Sequence, residues 1–148
     1  MRCLGLDLGS RRIGVAVSDP SGVVATPLTT ILRGAHRDAA GGDGVDREVA
    51  ALVGEYAADC VVVGLPRALS GRVTDSTRLV LDEVTRLRGS LSVPVYTWDE
   101  RLTTVQAQRS LRRLGVDSRK GRDKVDEVAA TIMLQSWLDA GRPGAGSR

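Results

Sequence analysis

Leu4-Gly5-Leu6-Asp7-Leu8-Gly9-Ser10-Arg11-Arg12-Ile13-Gly14-Val15-Ala16-Val17-Ser18 holds two apolar runs separated by Gly9-Ser10-Arg11-Arg12. Apolar runs on either side of a glycine-led tetrapeptide predict a β-hairpin. Its first strand carries one carboxylate, Asp7. A charge on a buried strand is costly unless it is paired or binds a metal, so Asp7 reads as part of a site. The alternative is an Asp that merely accepts hydrogen bonds from the turn amides, as Asx-type turns do.

Working outward, residues 2–8, 13–18 and 23–32 read as three strands, the last interrupted by Pro27, with Asp19-Pro20-Ser21-Gly22 as the turn between the second and third. Residues 34–44 are small and polar and read as a flexible loop holding His36, the only histidine. Residues 45–57 have helical spacing, with Val49, Leu52, Val53 and Tyr56 on one stripe. Cys60-Val61-Val62-Val63-Gly64 is a continuous apolar run of the kind found in central parallel strands, and Leu65-Pro66 ends it. A second amphipathic helix is expected over 74–87 (Leu79, Val80, Val84, Leu87), a fifth strand over 93–98, a helix over 103–114, a basic loop over 115–122 and a last helix over 124–139. Residues 140–148 read as a disordered tail, leaving 1–139 as a single domain.

A meander followed by β-α units predicts an α/β fold, a mixed sheet with helices on its faces. Reactive groups in such sheets gather at strand ends. Asp7, Gly64-Leu65-Pro66 and Asp99-Glu100-Arg101 all stand just past strand runs and could converge there.

The chain has 148 residues and 42% hydrophobic content, enough for one ordinary core. It has no apolar run of membrane-spanning length and no charged-then-apolar leader, so a cytoplasmic protein without membrane contact is expected. Cys3 and Cys60 fall inside apolar runs and read as buried thiols of a reducing compartment. No His/Cys cluster suits zinc.

The formal net charge is +3, but basic residues concentrate between Arg101 and Lys124. Arg101, Arg109, Arg112, Arg113, Arg119, Lys120, Arg122 and Lys124 face only Asp117 and Asp123 there, an excess that suits a phosphate backbone. The plainer reading is a solvated helix face and loop. Aromatics are few (Tyr56, Tyr96, Trp98, Trp137), which argues against a stacking platform for single strands.

Three acidic groups remain: Asp7, Asp99-Glu100 and Asp126-Glu127. Hard oxygen ligands without His or Cys select Mg2+ or Mn2+. Carboxylates from separate elements can hold such ions for phosphodiester cleavage. Asp126 has another reading: with Asp123 as N-cap it would be the third helical residue, complementing the helix amides.

The residues Asp7-Leu8-Gly9-Ser10-Arg11-Arg12-Ile13-Gly14-Val15-Ala16, Val62-Val63-Gly64-Leu65-Pro66, Asp99-Glu100-Arg101-Leu102-Thr103-Thr104 and Asp126-Glu127-Val128-Ala129-Ala130 resemble, in order and spacing, the motifs of the YqgF or RuvX family. That family comprises Holliday-junction-resolvase-like proteins and pre-16S rRNA nucleases. The resemblance implies an RNase H-like five-stranded mixed sheet of order 3-2-1-4-5 with helices on both faces. It implies a magnesium-dependent (or manganese-dependent) nuclease maturing the 5′ end of 16S rRNA. Asp7, Glu100 and Asp126 become the catalytic and metal-binding carboxylates. Arg11, Arg12 and Arg101 join the basic segment as groups toward phosphate, Arg12 and Arg101 being ion-pairing groups in the alternative. The loop over 34–44 departs from the family, being longer and richer in glycine.

In RuvC-type resolvases a second carboxylate comes from the fourth strand. Here that strand ends in Gly64-Leu65-Pro66, and Glu100 must reach in from the fifth. Adjacent strands stand about 4.8 Å apart, so a wider site, or one assembled on substrate, is expected. Two alternatives follow: a resolvase cutting four-way DNA junctions as a homodimer, and a catalytically weak nucleic-acid-binding module. The turn at Asp7-Leu8-Gly9-Ser10 also resembles that of sugar kinases and actin-like ATPases, but those need two such domains.

Overall fold

The structure is a computed structural model that describes residues 1–35, 42–103, 109, 112 and 122–145, with the backbone alone for 122–124. Strands β1 (Cys3–Leu8), β2 (Arg12–Ser18) and β3 (Ala25–Leu32) form the antiparallel meander. Helix α1 (Val45–Glu55), β4 (Cys60–Leu65), α2 (Asp75–Ser90) and β5 (Val95–Asp99) follow, then a single 3-10 turn (Glu100–Leu102) and α3 (Arg122–Asp139). β4 lies parallel to both β1 and β5, giving the sheet order β3-β2-β1-β4-β5. This is the mixed sheet that the residue pattern predicts, in the strand order that the family resemblance implies.

Alternation along the strands divides the core. Leu4, Leu6, Ile13, Val15, Val61, Val63 and Leu65 point to one face and pack on α1 and α2 through Val45, Val49, Val53, Val80, Val84 and Leu87. Cys3, Ala16, Cys60 and Val62 point to the other and pack on α3 through Ala130, Met133, Leu134 and Trp137. The helices therefore stand on both faces. The thiols of Cys3 and Cys60 are reduced, buried and 2.9 Å apart on paired strand residues. The bulge that accommodates Pro27 falls between Val15 and Ala16 on an edge pairing, where a missing N–H is tolerated.

Several boundaries differ from the sequence reading. Leu79, expected on the buried stripe of α2, is 70% exposed, and Glu83 takes a buried place beside Val84. The stripe is rotated because Thr77 is fully buried. Its hydroxyl closes a capping box with Thr74 and donates to the Pro66 carbonyl at 2.5 Å, pinning the start of α2 to the end of β4. Helix α3 begins at Arg122, not Lys124, so Asp123 lies inside it and cannot serve as the expected N-cap. Of the tail expected to be disordered, residues 140–145 turn back on α3. Trp137 Nε1 donates to the Pro143 carbonyl at 3.1 Å, and the Arg142 amide donates to the Trp137 carbonyl. Ala145 packs on the α3-side core. Residues 146–148, His36 and most of the loop over 34–44, and most of the helix expected over 103–114 lie outside the described residues.

No helix among the described residues is long and apolar enough to cross a membrane.

Candidate active site

Asp7 stands next to last on β1, on the face that α3 covers, opposite Gly14 on β2. The hairpin that follows is tight: the Gly9 amide donates to the Arg12 carbonyl at 2.9 Å. At Gly14 an added Cβ would lie 1.9 Å from the Asp126 carbonyl oxygen. The first turns of α3 thus rest directly on the strand beside Asp7, and no side chain larger than hydrogen fits between. This close approach brings Asp126 to Asp7, whose carboxyl feels its charge.

Glu100 arrives by another route. β5 ends at Asp99, and the 3-10 turn carries Glu100 back across the end of β4. There Gly64 has no side chain, and a Cβ built on it would be 3.2 Å from Glu100 Oε1. The space that a fourth-strand side chain would occupy is filled by the Glu100 carboxylate. Although Glu100 as a residue is exposed, its carboxylate is tucked in far enough to share a hydrogen bond with Asp7. Gly64 thus lets Glu100 cross over β4 toward Asp7.

The turn is held from behind. Ser136 on α3 donates to the Leu102 carbonyl at 2.9 Å and accepts from Trp98 Nε1 at 3.3 Å. Asp99 faces away from Asp7. It accepts from the Arg101 amide at 2.9 Å and from Arg101 Nη2 at 2.6 Å, with Arg67 Nε 3.9 Å away. Asp99 thus shapes the turn, and Arg101 is ion-paired. Glu127, next to Asp126, accepts from Thr30 Oγ1 at 3.2 Å and so is drawn toward β3.

The electrostatics of the group are those of crowded acids. Burial first, then the charge of Asp126, raises the Asp7 carboxyl above its ordinary value, while the bond from Glu100 works the other way. Burial, followed by the charge of Asp7 and the bond to it, raises Glu100. Asp99 is lowered, chiefly by its bond with Arg101.

In kind, the donor set fits a hard divalent cation: three carboxylates, no nitrogen or sulfur, and mutual repulsion that a positive charge relieves. Among the described residues no three acidic, His or Cys side chains are close enough to enclose an ion unaided. Magnesium keeps several waters and takes phosphate oxygens, so one or two carboxylates suffice to fix it.

Asp7 and Glu100 separate two clefts. One, of about 310 Å³, lies on the α3 side against Thr103, Ala129, Ile132 and Met133. The other, of about 570 Å³, opens past the Gly9-Ser10 turn toward Arg33, Pro66 and α2. Its wall is an ion cluster that sequence reasoning missed. Arg33 donates to both Glu83 oxygens at 2.7 and 2.9 Å, to Asp43 at 2.9 Å and, through Nε, to the Gly9 carbonyl at 2.7 Å. The one signal for it was an acid, Glu83, among the apolar residues of the α2 stripe.

Of the basic residues singled out, Arg11 is exposed and Arg12 half-buried. Arg109 and Arg112 are both helical and exposed. Arg122 and Lys124 belong to α3, and nothing is described of their side chains. Arg113, Arg119 and Lys120 lie outside the described residues.

Comparison with known proteins shows the family. The sequence profile of the RuvX family, described as Holliday junction resolvase, matches residues 1–140. A protein of Mycobacterium ulcerans (strain Agy99) named "Putative pre-16S rRNA nuclease" is 46% identical over 151 residues, covering 99% of this chain and 84% of the relative. One of the same name from Mycolicibacterium smegmatis is 47% identical over 148 residues, covering 99% and 85%. Thermus thermophilus RuvC superposes with a TM-score of 0.59 at 14% identity, over 96% of this chain and 98% of that one. The same protein solved with a Holliday junction substrate also gives 0.59, over 95% and 96%. The fold is RNase H-like, and the chain belongs to the RuvX family.

Proposed function

We propose that this member of the RuvX family is a divalent-metal-dependent endonuclease that hydrolyses phosphodiester bonds in structured RNA. The substrate class follows the two relatives named above, which carry the name of pre-16S rRNA nuclease. On this reading the protein trims the 5′ end of 16S rRNA in the cytoplasm. The observation that carries the chemistry is the pairing of Asp7 with Glu100 at the end of β1, with Asp126 near enough for Asp7 to feel its charge.

Asp7, Glu100 and Asp126 would hold Mg2+ or Mn2+. When bound, such an ion lowers the pKa of water and neutralises charge on the phosphate. The chain's own residues supply the rest. Asp7 offers a carboxylate on β1 just ahead of the hairpin turn, and Glu100 offers a second beside it. Asp126, mounted on a helix packed to backbone contact with β2, sets the third side. Arg109 and Arg112, both exposed, with Arg113, Arg119, Lys120, Arg122 and Lys124, would grip the backbone of the substrate. Arg11 faces phosphate at the hairpin. Arg101, tied to Asp99, contributes by keeping the Glu100 turn in shape.

The description of the RuvX family favours a second substrate, a four-way DNA junction, for which two symmetric cuts would require a homodimer. The deciding experiment offers precursor rRNA and a four-way junction side by side, with magnesium, manganese or chelator. Metal-dependent cleavage of the rRNA, lost in Asp7→Asn, is expected. Binding without cleavage of either substrate under every metal would leave a nucleic-acid-binding module and end the nuclease reading.

A further inference from the structure

The 570 Å³ cleft beside Asp7 and Glu100 has a composition that metal chemistry does not use. Leu79 stands in it 70% exposed, a large aliphatic side chain that folding leaves in water, with Pro66 nearby. Around them are three donors, Ser10, Ser76 and Arg86, whose side chains have no hydrogen-bond or ion-pair partner among the described residues. The remaining wall is the Arg33–Glu83 ion pair, Glu83 buried and Arg33 half-buried. An ion-paired wall, an apolar surface and a few free donors are features of ligand clefts, and the volume falls within the ~300–1,000 Å³ of such sites.

From this we infer that the cleft between the Gly9-Ser10 turn and α2 receives one unstacked nucleotide of the substrate strand, next to the phosphate held at Asp7 and Glu100. The inference rests on the nuclease reading for its neighbour but on the cleft for itself. A strand whose phosphate lies between the two clefts has room to place an adjoining nucleotide in one of them. The α3-side cleft, at about 310 Å³, is the smaller. The larger offers Leu79 and Pro66 to a base face, the Arg86 guanidinium to its edge or to phosphate, and the Ser10 and Ser76 hydroxyls to the sugar. A paired base would bring its partner strand with it, so the cleft selects single-stranded or frayed positions. Unpaired, splayed bases are where RNA is most readily distinguished.

The test uses a short RNA carrying 2-aminopurine at each position in turn, whose fluorescence rises when the base leaves its stack. Binding is followed in chelator and in calcium. One or two adjacent positions should brighten several-fold on binding, and Leu79→Asp combined with Arg86→Ala should abolish this. Both residues are exposed, and a thermal melt would establish that the variant folds. With magnesium, removing the base at the brightened position should lower wild-type kcat/KM roughly tenfold, the usual size for a lost apolar contact. In the double variant the same removal should cost nothing further. RNA that binds with no position brightening, or a double variant that brightens as wild type does, overturns the inference. Brightening without cleavage under any metal retains the cleft and removes the nuclease. Cleavage without brightening does the reverse, and an RNA that does not bind removes both.

Discussion

Replacing Gly14 by alanine tests whether backbone contact between α3 and β2 is what sets the site. The added methyl would lie 1.9 Å from the Asp126 carbonyl oxygen and 2.3 Å from its carbonyl carbon. Ordinary contact begins near 3.4 Å, so the two backbones must part by about 1.5 Å. Neither atom belongs to a flexible side chain that could swing aside. Overpacking of this kind costs about 1–3 kcal/mol, and rigid backbone puts the variant at the upper end. For a chain of this size that is a fall in Tm of about 6–12 °C. The displacement carries Asp126 away from Asp7, and a misplacement of about 1 Å can cost about 100-fold in rate. Cleavage per folded molecule, measured well below the lowered Tm, should therefore drop about 100-fold or more. Gly54→Ala provides the control, since nothing lies within 4 Å of its added Cβ on α1. It should melt no lower than wild type and cleave normally. A Gly14→Ala protein with wild-type Tm and wild-type cleavage would refute the reasoning.

Asp7→Asn should abolish metal-dependent cleavage yet raise Tm at neutral pH. The native state holds the Asp7 proton more tightly than the unfolded chain does, because burial and Asp126 raise its carboxyl. Wild-type stability is then full at low pH and falls as pH rises from the ordinary carboxylate value through the raised native one. Melting curves across pH should show the variant's advantage above that window and its disappearance below; a variant less stable than wild type at pH 7 would contradict the sign. Arg33→Ala strands the buried Glu83 carboxylate and should cost about 3–5 kcal/mol in urea unfolding, much of it recovered by Glu83→Leu in the same chain. Ser136→Ala leaves the Trp98 indole N–H and the Leu102 carbonyl without their partner, costing about 1–3 kcal/mol, and should lower kcat more than it changes KM. Replacing Arg119, Lys120 and Arg122 by alanine should weaken binding to all sequences alike and flatten the slope of log affinity against log salt by about 2, an unchanged slope moving the phosphate grip elsewhere.

The sheet was legible because its information is local. Alternation in 3–8 and 12–18, the Val61–Val63 run and the turn residues each report a strand without reference to anything distant. The helix faces were less so. Leu79 reads as core from spacing alone, and only the Thr77 cap, fixed by a carbonyl eleven residues back, turns it out to water. The start of α3 was misplaced because Asp123 is a good N-cap by type, while the packing of α3 on Gly14 is a tertiary fact. The folded-back segment 140–145 has the composition of a disordered tail, and what orders it is the indole N–H of Trp137, which needs an acceptor once the ring is buried.

Glu100 shows how the sequence and the tertiary structure divide the work at the site. A reader counting strands places it one strand too far from Asp7, since β4 lies between them. What removes the distance is the absence of a side chain at Gly64 and a turn of only three residues, closed by Asp99 on the Arg101 amide. Gly64 and Asp99 thus do for Glu100 what Gly14 does for Asp126: each clears or bends the path by which a carboxylate from another element reaches Asp7. On this account the motif residues around the three acids matter as much for what they leave out as for what they contribute. Gly64→Ala would set a methyl 3.2 Å from Glu100 Oε1 and 3.3 Å from Met133 Cγ, both ends of flexible side chains. It should therefore fold with little loss while loosening the Asp7–Glu100 hydrogen bond, separating the geometry of the site from the stability of the sheet in a way that Gly14→Ala cannot.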